Sequence, residues 1–261
     1  MKHLELSFGA GVATVTLNRP DVRNAFNDEV IAEMTAVFLE LAKRDEVRCV
    51  VIAGNGPAFC AGADLNWMKR LATYTREENE EDATGLARML EGIYRFPKPT
   101  VARVHGDVYA GGVGLVAACD IVVSVDSAQY CLSEVKLGLI PATISPYVIR
   151  AMGPRAAHRY FLTAERFGAV EAHRVGLVHE VATADELDAR VADVARALVA
   201  NGPEALKACK QLLHDVAGHE ISSGLIRRTV KSIAEIRASD EGREGIASFL
   251  DKRKPSWVQG Q

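Results

Sequence analysis

The sequence predicts an α/β chain of stacked parallel strands, and three observations carry that expectation. Apolar strand-like runs alternate with helix-period segments, strand–helix–strand units recur, and from Pro141 onward the chain turns nearly all helical. LELSF and GVATVTLN alternate around a glycine-containing turn and predict a hairpin. Asn27 or Asp28 can cap DEVIAEMTAVFLELAKR, whose Val30, Ile31, Met34, Val37, Phe38 and Leu41 recur at helical spacing. Arg48 to Gly54, RCVVIAG, reads as a buried strand and completes a right-handed crossover unit. The loop NGPAFCAGADLNWMKR and a charged helix, TREENEEDATGLARMLEGIYRF, follow, the helix closed by PKP. Its acidic run, Arg76 to Asp82, reads as a solvated face. TVARVHG, GGVGLVAACD and DIVVSVD repeat the crossover. AQYCLSE then predicts a short edge strand, and VHEV at Val178–Val181 a last one. From about Ala184 amphipathic helices show apolar faces with little chain left to bury them, the pattern of a region that docks on a neighbour.

A chain of 261 residues can bury a full core as one large domain, or one plus a small appendage. With 34 acidic against 31 basic residues and no long basic run, nothing recruits nucleic acid or an anionic membrane. The five cysteines are odd in number, scattered and mostly in apolar segments, as expected of reduced thiols. The N-terminus alternates like a strand rather than a signal peptide, and no apolar run reaches spanning length, so a cytoplasmic location is expected.

The chemistry concentrates in two small-residue loops. In HGDVYAGGVGLVAACD, Gly106, Gly111, Gly112 and Gly114 bare the backbone where a strand runs into an apolar helix, so N–H groups are free to face an anion or a developing oxyanion. FCAGADL places Ala61, Gly62 and Ala63 at another strand end, before a helix starting at Asp64. If the Ala63 and Gly111 amides face one point, they form a two-donor hole for a carbonyl oxygen that gains charge. Either loop alone also suits tight packing. A phosphate loop fits worse, because Gly112 precedes Val113 and Gly114 rather than Lys and Ser or Thr, and the dinucleotide fingerprint is met only loosely by Gly112, Gly114 and Ala117. Seven dispersed histidines and no C-x-x-C require no metal, and no G-x-S-x-G marks a nucleophile.

Together, LNRPDVRNAFN, FCAGADL, HGDVYAGGVGL with CDIVV, LSEVKLGLIP, FLTAERFGAVEAHRVGLVHEV and FLDKRKPSW resemble the crotonase (enoyl-CoA hydratase/isomerase) superfamily over essentially the whole chain. The resemblance implies a ClpP-like spiral of stacked ββα units, residues 1–195, with a C-terminal helical region, 196–261, used in assembly as a homotrimer or dimer of trimers. It implies an acyl-CoA thioester as substrate, with coenzyme A part of that substrate and no further cofactor, and its carbonyl held by the Ala63 and Gly111 amides. Of two glutamates common in the family's hydratases, the second matches Glu134 in LSEVKLG, while the first falls on Gly114. Glu134 is thus the expected acid and base; a surface carboxylate paired with Lys136 or Arg150 is the alternative. Arg23 and the backbone from Ala61 through Gly62, Asp64 and Leu65 match the grip on CoA, Lys252 is a candidate for a neighbouring subunit's CoA phosphates, and Met68, Tyr109, Gly112, Gly114 and Pro141 join the substrate-binding set. His105 and Tyr109 are candidates to line the acyl pocket; Asp107 and Asp120 read as local hydrogen-bonding groups.

LSEVKLGLIPATISPYVIRAMG followed by RYFLTAERF is similar to bacterial methylglutaconyl-CoA and carboxygeranoyl-CoA hydratases. IPATISPYV replaces a glycine-rich IPGGGGTQR of many relatives, so Thr143, Ile144 and Tyr147 reshape the acyl pocket. The function expected is hydration of a branched, carboxylated 2-enoyl-CoA, with Lys69, Arg70 and Arg150 as candidate cations for the distal carboxylate. An enoyl-CoA isomerase or acyl-CoA decarboxylase working through Glu134 alone is the alternative, and a non-catalytic binding protein the third.

Overall fold

Ten strands and ten helices follow one another in the computed structural model, which describes residues 1–258. β1 (Leu4–Gly9) and β2 (Val12–Leu17) form the expected antiparallel hairpin. Asn27 caps α1 (Asp28–Ala42), its side chain accepting the Val30 N–H, and the helix crosses to β3 (Cys49–Gly54), parallel to β2. β4 (Ala58–Cys60), α2 (Leu65–Leu71) and α3 (Arg76–Tyr94) precede β5 (Thr100–Val104), β6 (Asp107–Tyr109), α4 (Gly111–Ala118), β7 (Ile121–Val125) and β8 (Gln129–Cys131). A 3-10 turn at Glu134–Leu137 leads to α5 (Ser145–Thr163), β9 (Phe167–Gly168), α6 (Ala169–Arg174) and β10 (Glu180–Ala182). The chain closes with α7 (Leu187–Ala200), α8 (Pro203–Val216), α9 (Ser223–Ala238) and α10 (Asp240–Leu250).

The strands divide into a six-stranded sheet, β1-β2-β3-β5-β7-β10, and a four-stranded one, β4-β6-β8-β9. Every residue of β3 is buried, as a central parallel strand covered on both faces requires. The smaller sheet departs from the sequence reading. Within NGPAFCAGADLNWMKR the strand end and helix start expected around FCAGADL are present, β4 ending at Cys60 and Asp64 capping α2; the departures lie further on. AQYCLSE is no edge: β8 lies between β6 and β9, and buried Tyr130 stacks on Phe167 of β9 with ring centroids 5.7 Å apart. The last strand also sits further on than VHEV, at Glu180–Ala182, because His179 is used as a linker, its N–H donating to the Val122 carbonyl and its Nδ1 accepting the Val122 N–H. Strands of two or three residues are too short to display a period.

α7 lays Leu187, Val191, Ala195 and Val199 against β3, β5 and β7. α8 to α10 bury much less: Lys210, Leu225 and Ser248 are their buried residues. Lys210 anchors α8 through an ion pair with Asp120 at 2.6 Å, and Asp120 also accepts the Thr100 N–H and hydroxyl. Asp120 is therefore more than the local helix-end group expected from sequence. Exposed Ile226, Val230, Ile233, Phe249 and Leu250 lie on α9 and α10. Among the described residues, no helix is long and apolar enough to cross a membrane.

Candidate active site

β4, β6 and β8 are adjacent and parallel, so their carboxyl ends open on the same side of the small sheet, with neighbouring strands about 4.8 Å apart. Ala61–Ala63 follow β4, Ala110 and Gly111 follow β6, and Glu134 follows β8. The sheet thus brings Ala63, Gly111 and Glu134 to one edge, the place where open parallel sheets bind ligands.

The β4 turn is held by its flanks. Gly62 sits at φ +87°. Its carbonyl accepts the Phe26 N–H at 2.6 Å, and the Asp64 N–H donates to the Phe26 carbonyl at 2.7 Å. Ala63, between them, donates its N–H to no acceptor among the described residues. Asp64 caps α2 by accepting the Asn66 and Trp67 N–H groups and pairs with Arg19 at 2.8 Å, both side chains largely buried. Arg19, its charge-assisted bond and the α2 caps hold the Asp64 carboxyl below the ordinary value against the opposing effect of burial, which is the largest single influence. Asn24, buried, donates to the Asn55 and Ala58 carbonyls and fastens the preceding loop to the start of β4.

The β6 turn presses against this one. A Cβ on Gly62 would stand 2.9 Å from Ala110 Cβ, and one on Gly112 would stand 2.8 Å from the Cys60 carbonyl oxygen, so the two backbones approach only because both positions are glycine. Ala110 carries φ 46°, ψ −117°, strained for a residue with a Cβ, and its N–H donates to the Cys131 carbonyl at 2.8 Å, tying the turn to β8. Strain of this kind persists where surrounding contacts over-determine it. The Gly111 N–H, opening α4, likewise has no acceptor among the described residues. α4 itself, GGVGLVAA, has no polar side chain.

Glu134 begins the 3-10 turn, half-buried, and its Oε2 is buried without a hydrogen-bond partner. Burial pushes its carboxyl above the ordinary carboxylate value, partly offset by its own backbone N–H. Among the described residues it forms no ion pair with Lys136 or Arg150.

The remaining sequence candidates spread around this edge. Arg23 is exposed at φ 53°, and its carbonyl accepts the Ala61 N–H at 2.9 Å, which sets its loop beside the β4 turn. Leu65 is exposed and Met68 half-buried on α2; Pro141 is buried beyond the Glu134 turn. The Tyr109 ring carries the Arg166 guanidinium at 5.4 Å. Gly112 and Gly114 are buried within α4, the latter under Ile144. Lys252, exposed just past α10, sits with the C-terminal helices. His105 bonds the Gly56 carbonyl at 2.9 Å, and Asp107 accepts the Gln129 N–H. Asp82 departs from a purely solvated face, because it accepts the Trp67 indole N–H. Phe26, Arg19 and Asn24 were missed as site supports; all three lie in LNRPDVRNAFN, whose polar residues between a strand and a helix were the available signal.

Backbone N–H groups left unbonded after two strands, and a half-buried carboxyl after a third, are groups that can stabilise an oxyanion and move a proton. The chain belongs to the enoyl-CoA hydratase/isomerase family, whose model matches residues 7–260. A solved structure described as an enoyl-CoA hydratase/isomerase (crotonase) from Legionella pneumophila is 44% identical with a TM-score of 0.93, covering 98% of each chain. An enoyl-CoA hydratase from Shewanella pealeana is 42% identical with a TM-score of 0.95, over 98% of this chain and 96% of that one. The mevalonyl-coenzyme A hydratase of Aspergillus fumigatus is 33% identical over 94% of this chain and 91% of its own length. The fold is the mixed α/β crotonase fold.

Proposed function

We propose that this protein hydrates a branched, carboxylated 2-enoyl-CoA of the 3-methylglutaconyl type. The Ala63 and Gly111 amides receive the thioester carbonyl, which gains negative charge as the enolate forms; one such donor is worth roughly 3–4 kcal/mol in the transition state. Glu134, as the carboxylate, takes a proton from water while the water oxygen bonds to the β carbon and the α–β π pair moves into the enolate. The protonated Glu134 then returns that proton to the α carbon as the carbonyl reforms. Water is added whole, no electrons are gained or lost, and the chain's own groups complete the cycle.

The observation that carries this reading is Glu134 Oε2, buried and unpartnered, after β8 in the sheet whose β4 and β6 turns leave amides unbonded. Arg23, Ala61, Gly62, Asp64, Leu65, Met68, Tyr109, Gly112 and Pro141 form the CoA and acyl surroundings in this proposal, with Lys252 serving a neighbouring subunit of a trimer; the exposed apolar residues of α9 and α10 support that assembly. Of the cations considered for a distal carboxylate, Lys69 is exposed, Arg70 is paired with Asp28 and Arg150 bonds the Pro146 carbonyl. Arg166, stacked on Tyr109 and without an ion pair among the described residues, is a further candidate.

The test is a panel of enoyl-CoA thioesters, plain, branched and carboxylated, with product analysis. Water addition fastest on 3-methylglutaconyl-CoA is expected. Movement of the double bond or α-proton exchange without net hydration would assign an isomerase instead, the reading that the carboxylate-free α4 favours.

A further inference from the structure

α4 opens with the Gly111 amide, and one turn further its Gly114 points the same way around the helix, so a side chain there would be the helix's next approach to the site. That approach is closed. A Cβ on Gly114 would overlap Ile144 Cγ2 and stand 2.5 Å from Ile144 Cβ. Ile144 is 2% exposed, ends the segment that starts at Glu134, and stands at the N-cap of α5, which packs on both α4 and the Glu134 turn. It therefore sits between the two elements that could each have brought a functional group. IPATISP supplies the bulk, and GGVGL the matching bare backbone.

We propose that Ile144 keeps this site to a single carboxylate: it fills the space through which α4 would present a side chain, and leaves Glu134 to handle the proton alone. The idea rests on the proposed chemistry at Glu134, and its two halves separate experimentally. In this view Gly114 and Ile144 are one device, and either changed alone fails where the pair changed together succeeds.

The experiment compares Gly114→Glu, Ile144→Gly and the double variant of the full chain by thermal melting and by the pH profile of kcat/KM, using whichever reaction the wild type performs, hydration or α-proton exchange. G114E is expected to melt roughly 5 °C or more below wild type, or to be insoluble. The double variant is expected to be soluble, to regain most of that loss relative to G114E, and to add a second ionisation to the pH profile. G114E melting as the wild type does would show that Ile144 does not hold the space. A stable double variant with the wild-type profile would show that the space does not open on the reacting atoms; both results overturn the proposal. Loss of turnover in Glu134→Gln with the melting pattern as expected supports both readings, whereas unchanged turnover in Glu134→Gln removes the catalytic reading while melting still decides the packing.

Discussion

The two sheets divide the labour of the molecule. In the six-stranded sheet β1, β2, β3, β5 and β7 run five or six residues, and β3, β5 and β7 are almost wholly buried. In the four-stranded sheet no strand exceeds three residues, yet the turns that leave β4, β6 and β8 carry Ala63, Gly111 and Glu134. A long strand satisfies its backbone along a ladder; a short one soon leaves its amides to other uses. In the proposed function the large sheet is the platform, and the small sheet's strand ends carry the chemistry.

The sharpest way to break that division is at the carboxylate. Glu134→Gln should lower kcat by about 10²–10⁴-fold, the usual worth of a positioned acid–base group. Stability should move the opposite way. Because burial raises its carboxyl in the folded state, the folded protein binds that proton more readily than the unfolded chain, and stability is lost as pH rises through the raised value. The Gln variant should therefore melt above wild type at pH 8, with the gap closing at pH values below the ordinary carboxylate range. The same shift predicts that wild-type kcat/KM falls on acidification with a midpoint above 4.5. A variant slower and also less stable at pH 8 would make Glu134 a structural residue.

Ala63→Pro tests the backbone half and comes next in size. Proline deletes an N–H that has no acceptor among the described residues, while the Phe26 bridge uses the Gly62 carbonyl and the Asp64 N–H and survives. A loss of about 10²–10³ in kcat is expected with melting close to wild type. Full activity would take Ala63 out of the hole.

These sites were unevenly legible. The crossover units of the large sheet show in the sequence because their strands are long enough for apolar runs and α1 is long enough for a helical stripe. Ala63, Gly111 and Glu134 could be proposed from sequence because small residues and a carboxylate stand in recognisable motifs. What stayed hidden was tertiary. β9 has two residues and is a strand only because β8 lies beside it. Arg19 pairs with Asp64 from the far side of α1, β3 and β4, and Ile144 meets Gly114 across β7, β8 and the Glu134 turn. No local pattern announces such partners.

A packing change in α4 against the β4 turn and one inside the large sheet should part company in activity. Gly112→Ala puts a methyl 2.8 Å from the Cys60 carbonyl oxygen, backbone that cannot turn aside, and 2.9 Å from Cys60 Cβ. It should cost about 1–3 kcal/mol, and because it pries the β4 and β6 turns apart it should also lower kcat. Ile52→Val, at a fully buried position of β3, removes one methylene and should cost about 0.5–1.5 kcal/mol. The platform around it is continuous sheet on both sides, β2 and β5, and carries none of the three turns, so kcat should not change. The two variants overlap in stability, so melting alone will not separate them; activity measured well below both melting points will. If Ile52→Val slows the enzyme as much as Gly112→Ala does, strain passes freely from one sheet to the other and the division of labour fails.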